Sequence, residues 1–297
     1  MPQLKTAKEI GLQPLTPLDL RRCDSFCEVV DAMRYTSFGA RQLGEAAHAF
    51  YEALKNRNSR ILIYSEGILP DSYKSDAVRS SARIYDRKSQ LWRIQPTGND
   101  VVIILGKYTG SINDKLRCVK RVFNINDQGH KGVPEGHYNI NYLFSSEYFG
   151  LSALLSYVQN KSHGEKRSVN EFLRLHPVMS KAVDILYEVT TNPELLNVLT
   201  VSGAMTPAKM GYVICDMIEL GMAGMLVTTG ANISHGFIEG SGMQHYKHDA
   251  CFGDEEYARV GMNRIYDTVE PETNFETAEK LADRAFSRLK PRIPYSS

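Results

Sequence analysis

LLNVLTVSGAMTPAKMGYVICDMIELGMAGMLVTTGANISHGFIEGSG, residues Leu195–Gly242, is the stretch that decides the fold. Leu196–Ser202 is an apolar, β-branched run, which predicts a buried strand. Thr206 stands directly before a proline, so we expect Thr206 to cap a helix whose apolar side chains recur at helical spacing. A second apolar run, Met225–Thr228, predicts another strand. Strand, helix and strand within about thirty residues predict a βαβ unit with parallel strands.

Small residues follow both predicted strands at the point where each strand ends. They are Ser202-Gly203-Ala204 after the first strand and Thr229-Gly230-Ala231-Asn232 after the second. The carboxyl ends of neighbouring parallel strands form the crevice in which open α/β sheets bind ligands, and helix N-termini there favour anionic groups. These turns therefore predict an anionic or phosphate-bearing ligand. The alternative is that small residues only allow a tight turn to close, since no G-x-G-x-x-G fingerprint is present.

Five segments resemble consecutive motifs of the deoxyhypusine synthase family, including its bacterial deoxyhypusine synthase-like branch. They are PLDLRR (17–22), TSFGARQLGEA (36–46), SGAMTPAKM (202–210), LVTTGANISHGFIE (226–239) and GMNRIYDTVEPETNF (261–275). The resemblance implies a Rossmann-like parallel sheet, the cofactor NAD, and transfer of an aminobutyl group from spermidine to an amine acceptor, either a protein lysine or another polyamine. It also implies a homo-oligomer, a dimer or a tetramer.

The same resemblance assigns site residues by motif position. Asn232 and His235 are expected to face spermidine or a related polyamine, although a histidine that only satisfies its own helix end is the alternative for His235. Bacterial family members usually carry an aspartate next, where this chain has Gly236. The residues expected to bind NAD are Ser202, Gly203, Ala204, Thr206, Thr229, Gly230 and Ala231.

The motifs divide the chain into three parts. Residues 1–46 correspond to an N-terminal helical segment of the family, and residues 183–297 to its NAD-binding βαβ part. Residues 47–182 form an insert with strand-like runs at 60–64, 82–85, 91–94 and 101–105, followed by a basic amphipathic helix at 112–123. Hairpin-like strands followed by helices predict a small α+β module. The expected fold class is thus α/β, a partial Rossmann-like parallel sheet with an N-terminal helical arm and an inserted α+β module.

The insert raises the possibility of nucleic-acid binding. Lys115, Arg117, Lys120 and Arg121 would lie close together on the predicted helix, among several tyrosines. Basic charge interleaved with aromatic side chains is typical of nucleic-acid binding, but the excess of positive charge is modest and favours a solvated basic face that lies over an ordinary aromatic core. The net charge of the whole chain, +1, predicts no general attraction to nucleic acid or to membranes.

Histidines and cysteines can bind metal ions and can indicate the compartment of a protein. His245, His248, Asp249 and Cys251 lie close together in sequence and resemble a metal cluster, but the family resemblance implies no metal at this place, so we assign no metal ligand. The five cysteines are scattered, which favours a reducing cytoplasm over a disulfide framework. No apolar run approaches the roughly 20 residues of a membrane span.

The C-terminal sequence PRIPYSS (291–297) resembles the start of a family segment that normally continues to the lysine nucleophile. We therefore assign no catalytic residue and expect the chain to be incomplete as an enzyme. The alternative is a non-catalytic, oligomerising relative. An incomplete parallel sheet is expected to expose an edge strand and an apolar helix face, which favours self-association.

Overall fold

The computed structural model describes residues 6–55, 59–65, 83–85, 96–105, 116, 118–126, 138–141, 147–164 and 166–289. The chain divides into two compact units. We call Asp19–Arg34 with Gly39–Asn192 the central unit, and Met1–Leu18 with Tyr35–Phe38 and Pro193–Ser297 the terminal unit. None of the helices in the described part of the chain combines the length and the apolar composition that a bilayer crossing needs.

The central unit contains helices and a five-stranded sheet. A short 3-10 turn at Leu20–Arg22 precedes the helices α1 (Phe26–Met33) and α2 (Phe38–Leu54), and α2 begins at the border of the two units. The strands are β1 (Ile61–Ser65), β2 (Arg83–Tyr85), β3 (Val101–Leu105), β4 (Arg121–Asn126) and β5 (Tyr138–Asn141). The helices α3 (Glu147–His163), α4 (Val169–Arg174) and α5 (Pro177–Thr191) follow. Pro177 starts α5, because a proline at the first helical position loses no hydrogen bond.

All neighbouring strands of the central sheet are parallel, in the order β2-β1-β3-β4-β5. Ile63 of β1, for example, pairs with Ile84 on one side and Ile103 on the other. The α/β fold class is confirmed, whereas the hairpin-like pairing expected within the insert is wrong. Parallel neighbours require crossover connections, so this unit is itself an α/β arrangement.

Both faces of the central sheet are buried, as is usual for parallel sheets. Side chains that alternate along β1, β3 and β4 pack on one side against α1, α2 and α3, and the other side covers a smaller cluster that includes Leu62, Val102 and Val122. Gly44 lets α2 approach α1, because a Cβ at this position would lie 2.7 Å from the backbone nitrogen of Arg34.

The basic helix predicted at residues 112–123 is not formed as expected. Arg121 opens β4, and its guanidinium donates a hydrogen bond to the backbone oxygen of Ala53 at 3.0 Å. Lys115 and Arg117 lie outside the described residues, as does the strand expected at 91–94. A single helix face that carries all four basic residues is therefore excluded, since Arg121 belongs to a strand.

The terminal unit contains the βαβ segment and a small antiparallel sheet. Its elements are β6 (Val198–Val201), α6 (Gly211–Glu219), β7 (Met225–Thr228), α7 (Gly230–Gly240), β8 (Tyr246–Lys247), α8 (Asp254–Arg259), β9 (Met262–Ile265), β10 (Thr268–Pro271) and α9 (Thr273–Phe286). Strands β6 and β7 are parallel, as predicted, and β8, β10 and β9 form an antiparallel sheet in that order. Val269 of β10 packs with Leu12 and Tyr257 in the core of this unit.

Two expectations for the βαβ segment are corrected. The helix begins at Gly211 after a series of turns, so Thr206 is not its N-cap. The strands are not buried, since Val198 and Val227 are each about half exposed. The expected exposure of an apolar helix face is confirmed by Tyr212 and Ile218 on α6, which are 52% and 45% exposed.

Candidate functional site

The two turns predicted from the sequence lie side by side. Val201, the last residue of β6, pairs with Thr228, the last residue of β7, so both turns leave the sheet at the same edge. A Cβ added to Gly203 would lie 2.7 Å from the hydroxyl oxygen of Thr229 and 3.1 Å from the Cβ of Ala231. The turns are thus in direct contact, and Gly203 is there because a larger residue would push them apart.

Thr206 and Asn232 hold the two turns together. The backbone N–H of Thr206 donates to Oδ1 of Asn232 at 3.1 Å, and the Thr206 hydroxyl donates to the same oxygen at 3.0 Å. Both residues are buried, with exposed fractions of 6% and 9%. Thr206 was predicted to contact a cofactor and Asn232 to contact an amine. In the structure the Thr206 hydroxyl and the Asn232 side-chain oxygen are hydrogen-bonded to each other instead.

The N-terminus of α7 opens beside these turns. Thr229 occupies the N-cap position with extended backbone, but its side chain makes no capping hydrogen bond. No described atom lies within 4 Å of a Cβ added to Gly230, the first helical residue. A helix N-terminus of this kind presents backbone N–H groups and the positive end of the helix dipole, which together favour phosphate.

A cluster of five ionisable side chains lies in the same unit, built from α7, β10 and the segments around them. The Lys209 ammonium forms an ion pair with the Glu239 carboxylate, and Oε1 of Glu239 lies 2.8 Å from Nδ1 of His245. Nε2 of His245 lies 3.3 Å from Nδ1 of His235 and 3.3 Å from Oε2 of Glu270. Nδ1 of His235 lies 3.3 Å from Oε1 of Glu270.

The cluster is almost closed to solvent, and burial competes with the charges inside it to set the pKa values of Lys209, Glu239, His245 and Glu270. Burial alone would raise the pKa of Glu270, but its interactions with His235 and His245 outweigh burial and hold it at about 2. Burial would lower the pKa of His245, yet Glu239 and Glu270 raise it above the ordinary value. The pKa of Lys209 is lowered, because burial outweighs the attraction of Glu239. The carboxylates are therefore ionised and need nearby positive charge.

The structure does not bring His248, Asp249 and Cys251 together with His245 as a group of metal ligands. His248 turns to Tyr257, with its Nδ1 3.2 Å from the phenol oxygen, and the exposed Cys251 donates its backbone N–H to Asp249. Among the described residues, the group with metal-ligand geometry is His235, His245 and Glu270.

Sequence reasoning missed three members of the cluster. Glu239 ends the motif LVTTGANISHGFIE and Glu270 lies in the motif GMNRIYDTVEPETNF, but neither motif shows by spacing that the carboxylates meet His245. Lys209 has a left-handed backbone with φ of 67°, which is rare for a residue other than glycine. No pattern in the sequence marks that conformation, although the small residues nearby place it in a region of turns.

A parallel βαβ unit with small-residue turns at its strand ends, beside a buried charged cluster, is an arrangement typical of ligand-binding α/β proteins. Comparison with known proteins makes this more specific. Residues 177–296 match the family model described as deoxyhypusine synthase. The resemblance predicted from the motifs is thereby confirmed for this part of the chain. The N-terminal motifs at 17–22 and 36–46 lie outside the match and stay predictions.

Individual relatives support the same assignment. A probable deoxyhypusine synthase of Methanosarcina thermophila is 37% identical over 111 residues, which cover 37% of this chain and 35% of that protein. A probable deoxyhypusine synthase of Methanothermobacter thermautotrophicus is 31% identical over 117 residues, covering 39% and 38%. A deoxyhypusine synthase-like protein of Elusimicrobium minutum is 34% identical over 102 residues, covering 34% and 27%.

The matched region spans about a third of the length of these curated relatives. No solved structure matches the chain. Placement in the bacterial deoxyhypusine synthase-like branch stays a prediction.

Proposed function

We propose that the terminal unit is the cofactor-binding part of a transferase that uses NAD to move an aminobutyl group from spermidine to an amine acceptor. The observation that carries the proposal is the pair of contacting turns at the ends of β6 and β7, inside the segment similar to deoxyhypusine synthases. The acceptor is a protein lysine or a second polyamine. Assembly of the protein as a homo-oligomer and its location in the reducing cytoplasm are parts of the same proposal, and its five cysteines are free thiols.

The residues at the turns fit the phosphate groups of NAD. The open space at Gly230 and the uncapped N-terminus of α7 suit a pyrophosphate, and Ser202, Ala204 and Ala231 are small enough to leave backbone N–H groups accessible. Thr206 contributes indirectly, because its bonds to Asn232 hold the turns at their separation. When bound, NAD supplies the hydride acceptor for oxidation of the amine.

The polyamine is proposed to approach along the same helix. His235 lies little more than one turn beyond Gly230 on α7. Its side chain is 12% exposed and that of Glu239 is 16% exposed, so these two members of the cluster can be reached from solvent. The cluster contains two carboxylates, of which Glu239 is paired with Lys209, so the charge of Glu270 is the one that favours a cationic ligand electrostatically. Asn232 affects binding of the amine only indirectly, because its side-chain oxygen bonds Thr206 and so holds the turn in place.

Calorimetric titration of the purified chain with NAD tests the proposal. We expect saturable binding to the unmodified chain and loss of binding in Gly230→Trp, whose indole would cover the N-terminus of α7 without meeting another described atom at its Cβ. Gly240→Trp is the matched control, because it places the same side chain in open space at the other end of the same helix. This control should bind NAD like the unmodified chain.

Two outcomes would contradict the proposal. One is no NAD binding by a chain whose circular dichroism shows that it is folded, and the other is equal loss in both tryptophan variants. Turnover is tested separately by incubating the chain with NAD and spermidine and following the near-ultraviolet absorbance of NADH. Binding without NADH formation would favour the alternative, a non-catalytic relative.

A further inference from the structure

We propose that His235, His245 and Glu270 form a binding site for one divalent transition-metal ion, with zinc as the ion that fits best. The three side chains come from separate places in the sequence, α7, the segment before β8, and β10. The site is distinct from the NAD contacts proposed above, and it does not depend on them.

The spacing of the three ligand groups is that of a tetrahedral metal site. Nδ1 of His235 lies 3.3 Å from Nε2 of His245 and 3.3 Å from Oε1 of Glu270, while Nε2 of His245 lies 3.3 Å from the other carboxylate oxygen, Oε2. The ligand atoms of the three residues all lie within 4.8 Å of one another. Zinc lies roughly 2.0–2.1 Å from its nitrogen and oxygen ligands, and a tetrahedron with such bonds has edges of roughly 3.3–3.4 Å. One ion can therefore contact all three groups with little movement, and a fourth position remains for water or another ligand.

A buried carboxylate oxygen without a hydrogen-bond partner faces the centre of the cluster. Nδ1 of His245 lies 2.8 Å from Glu239, which leaves Nε2 as the ring atom that faces Glu270. Oε2 of Glu270 is buried and finds no hydrogen-bond donor of suitable geometry among the described residues. A buried carboxylate oxygen in this position is stabilised by a cation that also contacts Nε2 of His245, which lies 3.3 Å away.

The surroundings match those that support a metal-binding histidine. Ligating imidazoles usually donate their second N–H to a carboxylate, which fixes the tautomer and makes the ligand more basic. Glu239 has this relation to His245, and Lys209 in turn fixes Glu239 through an ion pair. Lys209 also neutralises Glu239, so Glu270 is the carboxylate whose charge a metal ion would balance.

The ligand set selects the class of metal. Two imidazoles and one carboxylate suit zinc and cobalt, whereas magnesium and calcium prefer oxygen ligands alone. A metal held by Nδ1 would make the His235 ring a ligand. That role replaces the contact with a polyamine that the family resemblance suggested for His235, so the inference goes beyond the proposed function.

The test is metal binding by the full chain after dialysis against a chelator. Zinc is titrated in competition with a chromophoric chelator, and cobalt is added separately to record the visible spectrum that distinguishes tetrahedral coordination. We expect one zinc per chain and an intense tetrahedral cobalt spectrum. Glu239→Gln should weaken zinc binding roughly 10- to 100-fold, the usual cost of losing an outer-shell partner.

The ligand variants decide between a metal site and a proton-sharing cluster. His235→Gln changes the most accessible of the three ligands, and Glu270→Gln removes the carboxylate charge; each should weaken zinc binding by more than the outer-shell change does. His248→Gln is the matched control, since His248 contacts Tyr257 instead and should bind zinc normally. The absence of stoichiometric zinc binding by the folded chain would overturn the proposal. Unchanged binding in His235→Gln, folded as judged by circular dichroism, would overturn it as well.

Discussion

Replacing Asn232 with alanine should loosen the paired turns of the terminal unit. The substitution removes the oxygen that accepts hydrogen bonds from both the backbone N–H and the hydroxyl of Thr206. The hydroxyl can still donate to the backbone oxygen of Asn232, from which it is 3.3 Å away. The buried N–H keeps no such alternative, and leaving a buried donor unsatisfied costs about 1–3 kcal/mol.

We therefore expect the free energy of local opening to fall by about 2 kcal/mol, which corresponds to a roughly 30-fold larger opening constant. Hydrogen–deuterium exchange measured by mass spectrometry is the suitable assay, because it reports opening segment by segment. Peptides that contain β6, β7 and the turns after them should exchange faster by about that factor. Peptides from β1 and β3 belong to the central unit and should be unaffected.

Thr206→Val is the graded comparison. It removes the hydroxyl but keeps the bond from the Thr206 backbone N–H to Asn232, so it should cost only about 1 kcal/mol. If hydrogen exchange at the two turns is unchanged in Asn232→Ala, the Asn232 side chain does not hold the turns together. An equal effect of both variants would show that the hydroxyl, and not the buried N–H, carries the interaction.

Two further predictions concern the central unit. Asp100→Asn should lower its free energy of unfolding by roughly 2 kcal/mol at neutral pH, because the carboxylate accepts a bidentate pair from Arg60, itself partly exposed, and two bonds from Thr97. Burial would raise the pKa of Asp100, but these hydrogen bonds outweigh burial and lower it. The stabilisation by the Asp100 carboxylate is therefore complete above the pKa of an aspartate in the unfolded chain, about 3.9. It is lost as the pH falls through the lower pKa of Asp100 in the folded protein. Urea unfolding at neutral and acidic pH should show the difference between variant and parent closing at low pH, while Asp184→Asn, in an exposed ion pair, should have little effect. Gly44→Ala should destabilise the central unit by roughly 1–3 kcal/mol, because the added Cβ would collide with the backbone at the end of α1. This cost should exceed the gain from the better helix propensity of alanine. A rise in the urea midpoint, followed by circular dichroism, would contradict the close approach of α2 to α1.

The βαβ segment was predictable because its evidence is local. Apolar runs separated by a helical period are visible within forty residues of sequence, and the structure has the strands Val198–Val201 and Met225–Thr228 where those runs lie. The role of Thr206 was not predictable by the same means. A threonine before a proline often caps a helix, but here the Thr206 hydroxyl bonds Asn232, which belongs to the turn after β7. Only the folded chain brings these two residues together.

The central sheet shows a second limit of sequence reasoning. The run Val101–Leu105 predicts a strand, and the strand is there, but a short apolar run carries no information about the direction of its neighbours. Direction follows from the connections between strands. The charged cluster is harder still, because Glu270 reaches His245 through the pairing of β10 with β8, which is a property of the small sheet as a whole.

The terminal unit is assembled from segments at both ends of the chain, and this has a consequence for its synthesis. Leu15 donates its backbone N–H to the carbonyl oxygen of His245, which leaves the ribosome 230 residues later. At roughly 5–20 residues per second, the N-terminal segment waits roughly 10–50 seconds for its partner. The central unit can finish folding during that interval, while apolar residues such as Leu12 remain available to chaperones. Because its segments are synthesised first and last, the terminal unit is the last part of the chain to complete its fold.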